Sequence, residues 1–178
     1  MANVHFKGNV VNLEGVVPNI GDKIEKFTLV GKDLNDIVVG GKSDVLQILI
    51  TVPSLDTGIC ATETRTFNKN AAGNKNVKLT VISMDLPFAM GRFCSVEGIE
   101  NVAPASDFRN KDFGKKFGIL IKDGPLAGLL ARAIFVVDKD GTLIYKQIVD
   151  EIASEPNYED LKNAIGAKCG CSCNCKIN

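Results

Sequence analysis

Short apolar runs alternate with helical patterns along most of the chain. Six runs are bounded by polar or turn residues and have the length of strands. They are Phe27 to Val30, Ile37 to Val39, Val45 to Val52, Val77 to Met84, Ala133 to Val137 and Leu143 to Val149. Four further segments are predicted to be helices. They are Cys60 to Ala72, Phe88 to Val96, Asp107 to Phe117 and Tyr158 to Ile165.

The order of these elements predicts an α/β fold. Strands separated by helices imply a sheet that is parallel in its centre and covered by helices on both faces. Asp138 to Gly141 is a turn signal, so the last two strands should form an antiparallel hairpin. Val4 to Phe6 and Val10 to Leu13 predict another hairpin at the N-terminus. The order resembles the thioredoxin-like fold, here with an N-terminal β-hairpin extension.

Length and charge narrow the class of protein. The chain has 178 residues, enough for one domain, and its 21 Lys and Arg balance its 21 Asp and Glu. No basic patch follows from this sequence, so nucleic acid is a poor candidate partner. The apolar runs are too short for a membrane span, and the N-terminus lacks the apolar stretch of a secretory signal. We expect a cytoplasmic protein without a membrane partner.

The cysteines divide the chain into a body and a tail. Residues 1–167 are predicted to form the thioredoxin-like domain, and residues 168–178 a cysteine-rich C-terminal tail. Cys60 and Cys94 are the two cysteines of the body. In a reducing compartment a disulfide is more often transient and catalytic than structural. The tail holds the other four, which are Cys169, Cys171, Cys173 and Cys175.

Cys60 is predicted to lie in the first turn of a helix. The apolar strand Val45 to Val52 is broken by Pro53 and the polar residues after it, and the helical pattern begins near Cys60. Free backbone N–H groups and the positive end of the helix dipole stabilise a thiolate at such a position. A small buried hydrophobic residue is the alternative interpretation of Cys60 on position alone.

The neighbours of Cys60 carry a family resemblance. Pro53, Thr57 and Cys60 stand at the spacing PxxxTxxC, which resembles the active-site motif of the peroxiredoxins. The longer resemblance is to the thiol peroxidase branch of that family, of the atypical two-cysteine type, and it extends to about Ile165. Three segments carry it: PSLDTGICATETRTFN around Cys60, SMDLPFAMGRFC ending at Cys94, and FGILIKDGPLAGLLARAIFVVD around Arg132.

The resemblance implies an enzyme that reduces hydrogen peroxide and alkyl hydroperoxides. Cys60 matches the cysteine that attacks the peroxide, and Thr57 and Arg132 match the residues that stabilise the departing oxygen. Pro53 matches a proline that shields the thiolate. Thr57 could alternatively be a helix N-cap, and Pro53 could simply end the strand.

Cys94 matches the cysteine that forms an intramolecular disulfide with the oxidised Cys60. Its alternative role is to pack beneath its helix. Two cysteines on separate helices would have to approach by local unwinding. The resemblance further implies thioredoxin as the electron donor and a homodimer, with no cofactor and no bound metal.

Two other classes of function remain open. A thiol–disulfide oxidoreductase of the same fold needs CxxC at the helix start, but Thr57 stands where the first cysteine would be. The residues before the later strand are Ala131 and Arg132, where thioredoxins have a proline. A metal-binding protein could use the CxCxCxC tail, whose alternate spacing would place four thiols on one side of an extended strand.

Overall fold

The computed structural model describes residues 2–71 and 75–168. Within them, ten strands and four helices follow one another, and most of them lie where the hydrophobic pattern predicts them. In chain order they are β1 (Asn3–Phe6), β2 (Asn9–Glu14), β3 (Phe27–Gly31), β4 (Asp36–Val39), β5 (Leu46–Thr51), α1 (Gly58–Ala71), β6 (Val77–Ser83), α2 (Pro87–Glu97), β7 (Ala103–Ser106), α3 (Asp112–Lys116), β8 (Leu120–Ile121), β9 (Ala133–Val137), β10 (Leu143–Ile148) and α4 (Tyr158–Lys168).

Seven strands form the central sheet in the order β10-β9-β5-β6-β7-β3-β4. The middle of the sheet is parallel, since β6 pairs in parallel with both β5 and β7. The outer pairs are antiparallel, including the β9–β10 hairpin that closes through the turn before Gly141. The predicted α/β, thioredoxin-like arrangement with an N-terminal hairpin is confirmed.

The sheet separates two buried clusters because successive side chains of a strand point to opposite faces. On β5, Ile48 and Ile50 belong to the first cluster, and Leu49 belongs to the second. The first cluster also receives side chains from α1, α2 and α4, and the second receives them from α3 and the N-terminal hairpin. Helices therefore cover both faces, as the sequence predicts.

The N-terminal hairpin is docked onto the domain. β1 and β2 pair antiparallel from Asn3 opposite Asn12 to Phe6 opposite Asn9, and β2 also pairs with β8. Val4 and Val11 are buried in the second cluster. The backbone of His5 forms hydrogen bonds with the segment Asp150–Ile152, which follows β10. The hairpin thus contacts the chain just beyond the central sheet.

One predicted helix has the wrong bounds, and the short strands β7 and β8 were not predicted. The helix predicted from Asp107 to Phe117 begins only at Asp112 and has 5 residues, because the Asp107 carboxylate accepts hydrogen bonds from the Phe113 and Gly114 N–H groups and holds the chain in a turn before them. The strand β7 was not predicted at all. Its sequence, Ala-Pro-Ala-Ser, has no apolar alternation, and its strand conformation comes from pairing with β6 and β3.

Within the described residues, no helix is both long enough and apolar enough to cross a bilayer.

Candidate active site

The ends of two strands bring the site together. β5 and β9 are antiparallel, so the last residue of β5, Thr51, lies opposite the first residue of β9, Ala133. The Thr51 hydroxyl donates hydrogen bonds to the carbonyls of Ala131 and Ala133, at 2.8 and 3.3 Å. The residue between those two carbonyls is Arg132. The loop that leads to Cys60 therefore starts beside Arg132.

Cys60 is the third residue of α1 and is completely buried. Its position in the first helical turn is confirmed, and the backbone N–H groups of that turn have no carbonyl partners within the helix. The burial of Cys60 agrees with its alternative interpretation as a core residue, but the position of Arg132 beside its sulfur does not. Nη2 of Arg132 lies 3.2 Å from the Cys60 Sγ atom and can donate a hydrogen bond to it.

Arg132 is held in place at three of its nitrogen atoms. Besides the contact of Nη2 with Cys60, Nε donates to the carbonyl oxygen of Ile152 at 3.1 Å, and Nη1 forms an ion pair with Glu63. The side chain is only 2% exposed. Burial opposes the charge of the guanidinium, but the neighbouring Glu63 carboxylate and Cys60 thiolate favour it and raise the pKa of Arg132. The arrangement supplies a fixed positive charge beside the sulfur.

Glu63 is the residue of this cluster that sequence reasoning missed. It lies three residues after Cys60 on α1, so the two side chains are neighbours on one face of the helix. Burial raises the pKa of Glu63 to about 7, against the opposing charge and hydrogen bond of Arg132. The signal that could have found Glu63 was its helical spacing from Cys60, since a buried carboxylate requires a partner.

Thr57 and Pro53 precede Cys60 in the chain. Among the described residues, neither forms a hydrogen bond with the Cys60 sulfur. The Thr57 hydroxyl is exposed and donates to the carbonyl of Ser54 at 3.3 Å. Its own carbonyl accepts from the Ala61 N–H, which places Thr57 at the N-cap position of α1. Pro53 is buried at the end of β5. Both residues belong to the segment that joins β5 to α1.

Cys94 lies in the third turn of α2 and is 4% exposed. It belongs to the same buried cluster as Cys60, and both are free thiols in this structure. Burial raises the pKa of the Cys94 thiol. Its packing beneath the helix agrees with the alternative role.

The comparisons with known proteins agree on one family. Residues 19–162 match the Redoxin family. A thiol peroxidase of Aquifex aeolicus is 51% identical over 91% of this chain and 95% of its own length. A thiol peroxidase of Campylobacter jejuni is 49% identical over 98% of this chain and 99% of its own length.

The chain belongs to the thiol peroxidases of the peroxiredoxin family. It is therefore an enzyme of the peroxiredoxin class. The crystal structure of a peroxiredoxin-like protein from Aquifex aeolicus superposes with a TM-score of 0.89 at 50% identity, covering 93% of this chain and 96% of that one.

In this peroxiredoxin the loop before Cys60 is hydrogen bonded to the segment before α2. The carboxylate of Asp85 accepts hydrogen bonds from the Ser54 hydroxyl, the Leu55 N–H and the Ser83 hydroxyl, each at 2.7 Å. Asp85 is thus more than a residue of the bend that follows β6. The parallel pairing of β5 and β6 explains the wider role, because both strands end at the same edge of the sheet. Asp85 thus joins the segment that leads to Cys60 with the segment that leads to Cys94.

Proposed function

We propose that this chain reduces hydroperoxides through Cys60. The contact of 3.2 Å between Nη2 of Arg132 and the Cys60 sulfur is the observation that carries the proposal. In the reaction, the Cys60 thiolate attacks the terminal oxygen of the hydroperoxide. The sulfur–oxygen bond forms as the oxygen–oxygen bond breaks, which leaves a sulfenic acid on Cys60 and an alkoxide or hydroxide that takes up a proton.

Arg132 supplies the charge that this step needs. Negative charge moves from the sulfur to the departing oxygen, and a fixed donor that follows it lowers the barrier more than it strengthens ground-state binding. The guanidinium is already oriented by Glu63 and by the Ile152 carbonyl, so little reorganisation accompanies the reaction. In our proposal Arg132 is both a catalytic and a substrate-binding residue.

Thr57 and Pro53 complete the proposed substrate site. Thr57 lies one helical turn before Cys60, and its hydroxyl would have to leave the Ser54 carbonyl to donate to a bound peroxide. Pro53 lacks an N–H group and its ring is buried, so it would shield the thiolate from water without competing for the peroxide. These roles rest on the family resemblance together with the position of both residues in the loop before α1.

Cys94 is proposed to resolve the sulfenic acid. Its thiol would attack the sulfur of oxidised Cys60, expel water and form the Cys60–Cys94 disulfide. A protonated thiol buried in α2 is unreactive, so the step requires local unwinding of α2 until the two Cα atoms lie within about 7 Å. The resting enzyme would in this way keep its resolving thiol away from peroxide.

Recycling by thioredoxin, homodimer formation and a cytoplasmic location are proposed from the family resemblance. A dithiol donor would reduce the disulfide and restore both free thiols, which is the state of Cys60 and Cys94 in this structure. The reducing cytoplasm would maintain such a donor. Light scattering of the purified chain under reducing conditions would test the dimer directly.

One assay tests the proposed function. The full chain is given hydrogen peroxide or cumene hydroperoxide, with and without thioredoxin, its reductase and NADPH. We expect catalytic NADPH oxidation with both peroxides and only about one turnover without the donor. Failure to consume either peroxide would reject the peroxidase function, whereas turnover with dithiothreitol but not with thioredoxin would reject only the donor.

No observation favours the thiol–disulfide oxidoreductase. Thr57 occupies the place of a first cysteine, and Arg132 precedes β9 where thioredoxins have a proline. The metal-binding alternative depends on the four cysteines of the tail, which lie outside the described residues. That alternative, and the domain boundary after residue 167, stay predictions.

A further inference from the structure

The peptide that joins Ile152 and Ala153 is hydrogen bonded on both of its sides. Its carbonyl oxygen accepts from Nε of Arg132 at 3.1 Å. Its N–H group, on Ala153, donates to Oε1 of Glu151, also at 3.1 Å. Because the peptide is planar, fixing the direction of its N–H also fixes the direction of its C=O. The Glu151 carboxylate therefore orients the carbonyl that holds the guanidinium.

The carboxylate of Glu151 is in turn held by the N-terminal hairpin. The backbone N–H groups of Lys7 and Gly8 donate to its two oxygens, each at 3.0 Å. Both residues have positive φ angles, of 52° and 78°, and two successive amides of this turn converge on the carboxylate. Hydrogen bonds from Ala153, Gly8 and Lys7 hold the pKa of Glu151 below its ordinary value.

The chain of contacts ends at the reactive sulfur. It runs from the hairpin turn to Glu151, through the Ile152–Ala153 peptide to Nε of Arg132, and from Nη2 of Arg132 to Cys60. The guanidinium is planar, so the direction of Nε–H determines where Nη2 points. A rotation of the guanidinium about Nε would move Nη2 away from the oxygen that departs from the peroxide.

We propose that Glu151 is a positioning residue for Arg132, and that the N-terminal hairpin acts on the reaction through it. This inference rests on the proposed peroxidase function. The hairpin packs against the second buried cluster, and in our proposal its turn also fixes the plane of the Ile152–Ala153 peptide that orients Arg132. Small displacements of a catalytic group are costly to rate even when their cause is remote.

The structure offers a matched control in Asp123. Its carboxylate also accepts hydrogen bonds from the hairpin, namely from the Asn12 N–H at 2.9 Å and the Asn12 side-chain amide at 2.6 Å. These bonds lower the pKa of Asp123, as those of Glu151 do. No hydrogen bond described for Asp123 reaches the Ile152–Ala153 peptide. Asp123→Ala and Glu151→Ala thus both loosen the hairpin, but only the second frees the peptide.

The experiment compares two reactions of Cys60 in the full chain. The first is oxidation by cumene hydroperoxide, which needs Arg132 at the departing oxygen, and the second is alkylation by iodoacetamide, followed at the Cys60 peptide by mass spectrometry. We expect Glu151→Ala to lower the ratio of oxidation to alkylation rates by about three- to tenfold. Glu151→Gln, which keeps one acceptor oxygen, should lie between, and Asp123→Ala should keep the ratio.

A double-mutant cycle separates positioning from general stability. Lysine has no Nε donor on a planar fork, so Glu151→Ala should cause little further loss in an Arg132→Lys background. Equal changes for Glu151→Ala and Asp123→Ala, or full additivity with Arg132→Lys, would overturn the inference while leaving the peroxidase function intact. Absence of peroxide consumption by the unaltered chain would instead reject the proposed function.

Discussion

The Ser54 hydroxyl donates a hydrogen bond of 2.7 Å to Oδ1 of Asp85, across 31 positions of the sequence. The other oxygen of the same carboxylate accepts from the Leu55 N–H. The two thiols of the proposed cycle lie on α1 and α2, and this carboxylate joins the segments that lead into both helices. Asp85 is therefore placed to stabilise the reduced arrangement of the site.

Asp85→Ala should destabilise the protein and loosen the loop before Cys60. The substitution leaves the Ser54 and Ser83 hydroxyls and the Leu55 N–H without their acceptor, at an expected loss of roughly 2–3 kcal/mol in the free energy of unfolding. Urea denaturation measures this loss, and hydrogen exchange at Leu55 reports the loop. Asp56→Ala is the control, because among the described contacts the Asp56 carboxylate forms only an exposed ion pair of 3.9 Å with Arg92. Equal stability of the two variants would contradict the role of Asp85.

Cys60→Ser should abolish peroxide reduction. A serine hydroxyl is not appreciably ionised at neutral pH and is a poor nucleophile toward a peroxide. Stopped-flow measurement of peroxide consumption tests this, with the far-ultraviolet circular dichroism spectrum as a check on folding. Substantial turnover by the folded variant would reject Cys60 as the attacking residue.

Cys94→Ser should react once and then stall. The variant retains Cys60 and Arg132, so it should consume about one equivalent of peroxide and accumulate sulfenic or overoxidised Cys60 under the thioredoxin system. Mass spectrometry of the Cys60 peptide identifies the product. Unimpaired cycling would assign the resolving step to another thiol, with the cysteines of the tail as the first candidates.

Arg132→Lys should lower the rate of peroxide reduction by at least about tenfold, although it keeps the charge. A single ammonium group cannot reproduce the planar contacts with Cys60, Glu63 and the Ile152 carbonyl. The control is Arg65→Lys, since Arg65 also lies near the site on α1 but pairs with Glu97 at the surface at 2.6 Å. An Arg132→Lys enzyme as fast as Arg65→Lys at low peroxide would show that charge alone is sufficient.

The pH dependence of stability should report Asp107. Burial raises its pKa from an ordinary value of 3.8 to about 6, although the Gly114 and Phe113 N–H groups oppose the shift. At a pH between these two pKa values, the folded state binds more protons than the unfolded state. The stabilisation from protonated Asp107 is therefore fully present below about pH 4 and is lost as the pH rises through about 6.

The measurement is the difference in free energy of unfolding between the unaltered protein and Asp107→Asn. Between about pH 4 and pH 6, we expect this difference in free energy of unfolding to fall by at most about 3 kcal/mol, since each pKa unit corresponds to about 1.4 kcal/mol. Glu63 titrates in an overlapping range in both proteins, so its effect cancels. A pH-independent difference for Asp107→Asn would contradict the raised pKa.

The sequence by itself determined the elements whose pattern is local. β9 runs over Ala133–Val137 as predicted, and α1 includes Cys60 in its first turn. Apolar periodicity and turn residues act over a few neighbouring positions, and they can be recognised without knowing what packs against them. The motif around Cys60 is equally local, and so it pointed to the family before any contact was known.

Only the tertiary structure decided which polar groups meet. Glu63 and Arg132 are 69 positions apart, and they pair because α1 follows β5 and β5 lies antiparallel to β9. The strand β7, the partners of Asp85 and the support of Arg132 by Glu151 depend in the same way on which strands are neighbours. A side chain at a given position can form a hydrogen bond in many folds, and the choice of partner is made when burial of the apolar faces sets the order and register of the strands.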